Sequence, residues 1–249
     1  MKISVLQFKP ELGKIEKNFS TVAELTERAK NSDVIVLPEL WSTGYYPKPV
    51  KKFADANAEK TSEFISGLAK KFSVNIVAGS VIAEENQKFF NRGIVCSETG
   101  EILTIYDKVH LFGFAGEREV FSPGNKISTF DLAGRKCGIA VCYDLRFPEF
   151  IRKIALTGIE ILFVPAAWSL KRLYPRQILT RARAIENQIF LVFANSAGKS
   201  ETINPAGEIS AEAGTGDEIL TCEIDFKIRG EVIKNMNLLA DRHPELDRL

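Results

Sequence analysis

The sequence predicts a layered α/β fold with mixed sheets, and three features of its patterning carry that prediction. Strand-like and helix-like segments alternate in both halves of the chain. The run that follows Asp33 is apolar at every position through Leu37, which is typical of a strand whose sheet is covered on both faces. Glycine-bearing turns at 99–100 and 133–134 indicate hairpins, and hence antiparallel strands beside the parallel ones.

In the first half, residues 2–8 alternate between polar and apolar side chains, as a half-buried strand does. Residues 14–31 and 59–72 repeat apolar residues at helical spacing and are predicted to be helices. A loop rich in Gly, Tyr and Pro follows the strand at 33–37. Further strands are expected at 74–83, 88–97 and 101–108, and a loop with three glycines at 109–124.

In the second half, a hairpin is expected first, and strands and helices then alternate again. Pro148 suits the first turn of a helix, because the N–H that proline lacks has no partner there. The predicted strands are 126–132, 136–142, 160–164 and 189–195, and the predicted helices are 148–157, 173–187 and 227–234. Hairpin-like segments run through 202–222 around the strong turn Asn204-Pro-Ala-Gly207.

The composition excludes several classes of function. The chain has 249 residues, 45% of them hydrophobic, which suits one large domain or two small ones. Lysine and arginine number 33 against 32 acidic residues, with no basic block, so no nucleic-acid partner is expected. No apolar run approaches the length of a membrane span, and a strand pattern begins at once without a leader, so we expect no membrane partner and a cytoplasmic location.

The cysteines are not spaced as metal ligands. Cys96, Cys137, Cys142 and Cys222 form no Cys-x-x-Cys pair, and the chain has only two histidines. We therefore expect no metal and no organic cofactor. The simplest interpretation is a protein of a reducing compartment whose thiols are free.

One cysteine lies at a position suited to chemistry. The stretch 138–150 begins as a buried strand and ends as a helix, with Asp144 as a possible N-cap, and Cys142 falls at the junction. Its sulfur can stand clear of the backbone there, near N–H groups that favour a thiolate and can hold an oxyanion. The alternative is a small core hydrophobe, the common fate of a free cysteine.

Two charged residues share this placement at strand ends. Glu39 follows the apolar strand at 33–37, and Lys108 ends the strand at 101–108. Layered α/β proteins commonly place their chemistry at strand ends. Taken singly, each could equally be a solvated surface charge.

These stretches, taken in order, resemble the three signatures of the nitrilase superfamily, the carbon–nitrogen hydrolases. The matching segments are Leu-Pro-Glu39-Leu, Tyr-Asp-Lys108-Val-His-Leu-Phe and Cys142-Tyr-Asp-Leu-Arg-Phe-Pro-Glu, with further matches at 181–188 and 204–208. The resemblance is greatest to the branch that contains omega-amidases. It implies a single domain over 1–249, built as a four-layer α-β-β-α sandwich of two mixed sheets with an internal pseudo-two-fold. It also implies homodimers formed face to face through helices.

The resemblance also implies roles for the residues. Cys142 would attack the carbonyl carbon, Glu39 would be the general base, and Lys108 would stabilise the oxyanion with the backbone N–H of Tyr143. A second glutamate is expected after the lysine motif, and Glu117 is chosen because it precedes Gly124 by seven residues.

Two nearby residues are alternatives to these assignments. Glu119 is the other candidate for the second glutamate. His110 suggests a cysteine–histidine dyad, but a structural role beside the motif is preferred. His243 lies in a charged tail and is expected to be solvated.

The loops and the resemblance suggest which residues line the substrate pocket. Trp168 ends the Pro-Ala-Ala-Trp loop, and Tyr45 and Phe114 occupy loops that could reach the same site. An omega-amidase must hold a carboxylate, for which an arginine is well suited. Arg172 is the candidate, with Arg146 as the alternative.

The predicted function is hydrolysis of a small linear amide through a cysteine acyl-enzyme, with release of ammonia. A second interpretation keeps the fold but takes a nitrile or an N-carbamoyl substrate. A third is a catalytically silent binding module, against which the intact Glu39, Lys108 and Cys142 argue. The chain departs from many relatives at Tyr174-Pro175, where they carry a histidine-tryptophan pair, so the pocket rim is expected to differ.

Overall fold

The computed structural model describes residues 1–246. The strands are β1 (Lys2–Gln7), β2 (Val34–Val36), β3 (Asp55–Ala56), β4 (Asn75–Glu85), β5 (Lys88–Cys96), β6 (Ile102–Asp107), β7 (Ser128–Leu132), β8 (Arg135–Ile139), β9 (Ile161–Ala166), β10 (Phe190–Asn195), β11 (Glu201–Ile203), β12 (Ile209–Glu212) and β13 (Glu218–Glu223). The helices are α1 (Ile15–Arg28), α2 (Glu59–Phe72), α3 (Pro148–Ala155), α4 (Leu173–Asn187) and α5 (Lys227–Asn235).

The strands form two mixed sheets that repeat one pattern of directions. The first sheet has the order β13-β1-β2-β4-β5-β6, with β3 beside β4, and the second has the order β7-β8-β9-β10-β11-β12. In each sheet three neighbouring strands are parallel, one antiparallel strand flanks them on one side, and two flank them on the other. This repetition is the pairing pattern that an internal pseudo-two-fold requires.

The alternation of side chains along the strands explains the layers. Val34 and Val36 of β2 point into the core between the sheets, where Ile139 and Phe163 of the second sheet also lie. Ile35 points the other way, into a cluster with side chains of α1 and α2. Helices α3 and α4 pack their apolar side chains on the outer face of the second sheet. The result is the four-layer α-β-β-α sandwich that the resemblance implied.

The structure corrects some predicted boundaries. Strand β8 ends at Ile139 rather than at 142, and the chain then forms a 3-10 turn over Cys142–Arg146. The short strand β3 was not predicted, because two residues carry no periodic signal. None of the helices within residues 1–246 has the length and apolar character needed to cross a membrane.

Candidate active site

The backbone at Cys142 turns sharply out of the second sheet. Its φ of +47° lies in the left-handed region, which is unfavourable for a residue with a Cβ atom and costs about 1–2 kcal/mol. The side chain is 9% exposed. The turn therefore directs the sulfur away from the strand and toward a cavity that Cys142 helps to line.

The sequence suggested that Asp144 caps a helix. In the structure it stabilises this turn instead. Helix α3 has Phe147 as its N-cap and no side-chain hydrogen bond there. The buried Asp144 carboxylate instead accepts hydrogen bonds from the Val141 N–H (2.9 Å), the Tyr106 hydroxyl (2.6 Å) and the His110 N–H (2.8 Å). Because Tyr106 and His110 flank Lys108 in the chain, Asp144 ties the cysteine turn to the lysine segment.

His110 belongs to this brace. Its Nδ1 lies 2.8 Å from Oδ1 of Asp144, and its ring stacks on Phe147 with the centroids 3.7 Å apart. This is the structural role expected for His110. His243, also as expected, is largely exposed, and its ring lies beside Glu245.

Lys108 lies between two carboxylates. Its Nζ is 2.8 Å from Oε1 of Glu39 and 2.9 Å from both oxygens of Glu117, and all three side chains are fully buried. Burial alone would lower the pKa of Lys108, but the negative charges of the Glu39 and Glu117 carboxylates outweigh it, and the pKa is raised. The side chain is therefore a fixed ammonium group inside the protein.

Glu117, and not Glu119, makes contact with Lys108. Its Oε2 also accepts the Phe112 N–H at 2.7 Å, and its Oε1 accepts the Tyr45 hydroxyl at 3.0 Å. Burial, opposed by Lys108, raises the pKa of Glu117. Glu119 is exposed. Of the two candidates, the geometry brings only Glu117 into the cluster.

The Glu39 carboxylate is held by three donors. Oε1 accepts from Lys108 Nζ and from Nδ2 of Asn91, each at 2.8 Å, and Oε2 accepts from the Ala167 N–H, also at 2.8 Å. Neither Asn91 nor Ala167 was predicted. In the sequence, Asn91 looks like any polar residue of a strand, and Ala167 acts through its backbone, so neither gave a signal.

The Cys142 thiol is protonated in this environment. Burial and the charge of Glu39 raise its pKa well above the ordinary value, although Lys108 and the Ala167 N–H lower it. The sequence predicted that the N–H groups of the turn favour a thiolate, but burial and the charge of Glu39 outweigh that effect. A base is needed to remove the proton before the sulfur can attack a carbonyl carbon.

The predicted pocket residues meet at one cavity of about 890 Å³. Its walls include Cys142 and the candidates for substrate binding, including both arginines: Tyr45, Phe114, Trp168, Arg172 and Arg146. Tyr143, whose N–H was the proposed oxyanion donor, lines it as well. The cavity is mostly apolar and aromatic, with cations at its edge.

Both arginines of the cavity stack on aromatic rings. The guanidinium of Arg172 lies 4.9 Å from the ring centroid of Phe114, and that of Arg146 lies 4.7 Å from the ring centroid of Trp168. No carboxylate within residues 1–246 forms an ion pair with either group. Both guanidinium groups can therefore serve an anionic ligand.

The sequence profile of the carbon-nitrogen hydrolase family matches residues 2–234. This chain belongs to that family. The 2-oxoglutaramate amidase of Bacillus subtilis (strain 168) is 37% identical to it, over 98% of both chains. These similarities support an amidase function for this carbon–nitrogen hydrolase.

A yeast relative connects the family to the fold. The omega-amidase NIT3 of Saccharomyces cerevisiae is 30% identical, over 92% of this chain and 88% of its own. The crystal structure of Nit3 from that yeast, described as a member of branch 10 of the nitrilase superfamily, superposes with a TM-score of 0.91 over 98% of this chain and 96% of its own, at 28% identity. The four-layer fold and the omega-amidase-like branch are thereby established for this hydrolase.

A third relative shows a reactive cysteine. A mutant amidase from Nesterenkonia sp. AN1 has a TM-score of 0.89 and 27% identity, over all of this chain and 98% of its own. In that protein acrylamide has added to the active-site cysteine by Michael addition.

Proposed function

We propose that this carbon–nitrogen hydrolase cleaves a small linear amide through an acyl-enzyme on Cys142. The observation that carries the proposal is the buried cluster of Glu39, Lys108 and Glu117, whose charges act on Cys142, a residue that lines the cavity. A nucleophile, a base and a cation are the groups that acyl transfer needs. The adduct on the cysteine of the Nesterenkonia amidase supports the assignment of the nucleophile. No metal or organic cofactor is required.

In the acylation step, Glu39 takes the proton of the Cys142 thiol and the sulfur attacks the carbonyl carbon. The C–S bond forms as the carbonyl π electrons move to oxygen, giving a tetrahedral oxyanion. The Lys108 ammonium and the Tyr143 N–H stabilise that charge. The oxyanion then reforms the carbonyl, the C–N bond breaks, and the nitrogen takes the proton from Glu39 and leaves as ammonia.

In the deacylation step, water replaces ammonia. Glu39 takes a proton from the water, and the resulting hydroxide attacks the thioester carbon. A second oxyanion forms and collapses with cleavage of the C–S bond. The sulfur recovers the proton from Glu39, and the carboxylic acid product leaves. Glu117 contributes a second carboxylate contact to Lys108, so that the ammonium group keeps its place throughout.

The substrate class follows from the cations at the cavity edge. Two half-buried guanidinium groups without an ion-pair partner in residues 1–246 favour a substrate with a carboxylate away from the reacting amide. The Bacillus relative is named for 2-oxoglutaramate. We therefore propose monoamides of short dicarboxylic acids as substrates, with Arg172 and Arg146 as the groups that recognise the carboxylate.

A substrate panel tests the function. Ammonia release is measured with a dicarboxylic acid monoamide, a neutral amide of equal length, the matching nitrile and the matching N-carbamoyl compound, with C142A as the blank. We expect the monoamide to have the highest kcat/KM. A higher kcat/KM for the nitrile or the carbamoyl compound would replace the amidase assignment. If the protein binds one of these compounds tightly but hydrolyses none of them, it is a silent binding module.

We further propose that the protein is a homodimer through α4. Three large apolar side chains on this helix are exposed, Tyr174 at 76%, Ile178 at 50% and Ile185 at 44%, and Leu156 beyond α3 is exposed at 47%. Such a cluster is typical of an interface. Sedimentation should give the mass of two chains, and I178D should shift it toward one.

We also propose that the chain acts as one domain in the cytoplasm. The core between the two sheets is continuous, which supports a single cooperative unit. A free thiol nucleophile is suited to a reducing compartment. One thermal unfolding transition and recovery of the protein in the cytosolic fraction are the expected results.

A further inference from the structure

Asn91 contacts both partners of the Glu39–Lys108 ion pair. It lies on β5, opposite Ile82 of β4, and is completely buried. Its side-chain Nδ2 donates to Oε1 of Glu39 at 2.8 Å, and its backbone oxygen accepts the Lys108 N–H at 2.9 Å. One residue therefore fixes the carboxylate through its side chain and the lysine segment through its backbone.

The two oxygens of Glu39 are not equivalent, and Asn91 is one reason. Oε1 already accepts from two donors, Lys108 and Asn91, whereas among residues 1–246 Oε2 accepts only from the Ala167 N–H. A proton placed on Oε1 would face both donors and weaken both hydrogen bonds. Ala167, whose N–H binds Oε2, lines the cavity together with Cys142, so Oε2 is the oxygen on the side of the nucleophile.

The side chain of Asn91 has a second property that points to this role. Its Oδ1 is buried and has no hydrogen-bond partner among residues 1–246. Burying an amide oxygen without a partner is unfavourable, so the residue is not optimal for stability alone. Turning the amide over would place Oδ1 against the Glu39 carboxylate, which is worse. The NH2 group is thus directed at Glu39 at a cost to the fold.

We propose that Asn91 is a positioning residue that reserves Oε2 of Glu39 for proton exchange with Cys142 and the leaving nitrogen. The inference rests on the proposed role of Glu39 as the general base. A neutral amide suits the task, because it donates a hydrogen bond to Oε1 but cannot give up a proton during the cycle. Asn91 keeps the carboxylate oriented, while the charge of the Lys108 ammonium group stabilises the oxyanion.

Two substitutions test the proposal. N91A removes the donor and should lower kcat by roughly 10- to 100-fold while KM changes little, since the loss is one of orientation of the base. N91D keeps the shape, and its carboxyl can donate to Glu39 only while protonated. The ratio of kcat for N91D to kcat for the unmodified protein should therefore fall as pH rises.

Asn75 supplies a matched control. It is a buried asparagine on β4 whose side chain donates to the backbone oxygen of Asp33 and accepts the Glu98 N–H, away from the cluster. N75A and N75D should leave kcat and its pH dependence unchanged. Equal losses in the Asn75 and Asn91 variants, or a ratio for N91D that does not change with pH, would overturn the inference.

Alkylation of Cys142 by iodoacetamide separates this inference from the function itself. The reaction needs no substrate. As pH rises, the carboxylate of N91D adds negative charge beside Glu39, whose own charge raises the pKa of the Cys142 thiol. The alkylation rate of N91D relative to the unmodified protein should therefore also fall with rising pH, and that of N75D should not. Absence of ammonia release by the unmodified protein would refute the amidase function, whereas a constant alkylation ratio for N91D would refute the role of Asn91.

Discussion

The ammonium nitrogen of Lys108 lies 2.8 Å from Oε1 of Glu39, and both side chains are completely buried. With Glu117 on the other side, one cation is shared by two carboxylates. A buried ion pair is seldom retained for stability alone, because removing charges from water is costly. Here the arrangement holds an ammonium group and a base within electrostatic reach of Cys142, which lines the cavity.

Replacing Lys108 tests its role in the transition state. K108A should lower kcat by about 10²- to 10³-fold with little change in KM, because the ammonium group acts on charge that develops during the reaction. Steady-state kinetics measure this, with circular dichroism to verify the fold. The control is K126A, which removes an exposed lysine. An effect on KM alone would assign Lys108 to binding of the substrate ground state.

The protonation of Cys142 predicts that E39Q forms the thiolate more readily and yet loses turnover. Burial and then Glu39 raise the pKa of the Cys142 thiol, so E39Q should lower that pKa by removing the negative charge. The thiolate of E39Q should thus appear at lower pH, as its ultraviolet absorbance will report. Turnover should nevertheless be lost, because the base is gone. A higher thiol pKa in E39Q would contradict the electrostatic account of the site.

The fold and the site were predictable from the sequence to different extents. Residues such as Glu39 and Lys108 could be proposed because they lie at strand ends and within segments that resemble, in the right order, the signatures of the family. Asp144 was assigned to a helix cap because its position before Pro148 fits that pattern, whereas tertiary contacts with Tyr106 and His110 decide its role.

Contacts between distant segments could not be read from local patterns. Asn91 reaches Glu39 across 52 positions in the chain, and the Ala167 N–H reaches it across 128. No periodicity encodes such pairings. The Asn91 contact depends on the order of β2, β4 and β5 in the first sheet, and the Ala167 contact depends on how the two sheets pack. The charge balance around Cys142, which decides that the thiol is protonated, likewise requires the assembled cluster.

Carboxylate recognition is tested by removing an arginine at the rim. R172A should abolish the preference for a dicarboxylic acid monoamide over a neutral amide while sparing slow hydrolysis of the neutral amide. The comparison is of kcat/KM for the two substrates. K171A is the matched control, because Lys171 is a neighbouring cation that is exposed and does not line the cavity. Equal kcat/KM for both substrates in the unmodified protein would remove the basis of this prediction.

The Asp144 brace predicts a loss of stability. D144N replaces a buried carboxylate that accepts hydrogen bonds from Val141, Tyr106 and His110, so the free energy of unfolding should fall by about 2–4 kcal/mol. Urea denaturation measures it. D131N, at an exposed position of β7, should change stability by no more than about 0.5 kcal/mol. Equal unfolding midpoints for the two variants would show that the brace contributes nothing.

The central claim is that Cys142 forms a covalent acyl-enzyme, and mass spectrometry after rapid acid quenching tests it most directly. The protein is mixed with an amide that it hydrolyses, and the peptide that contains Cys142 is examined. That peptide should carry the added mass of the acyl group without its nitrogen, and C142A should show neither the adduct nor turnover while keeping its fold. Turnover by C142A, or an adduct on another residue, would contradict the account.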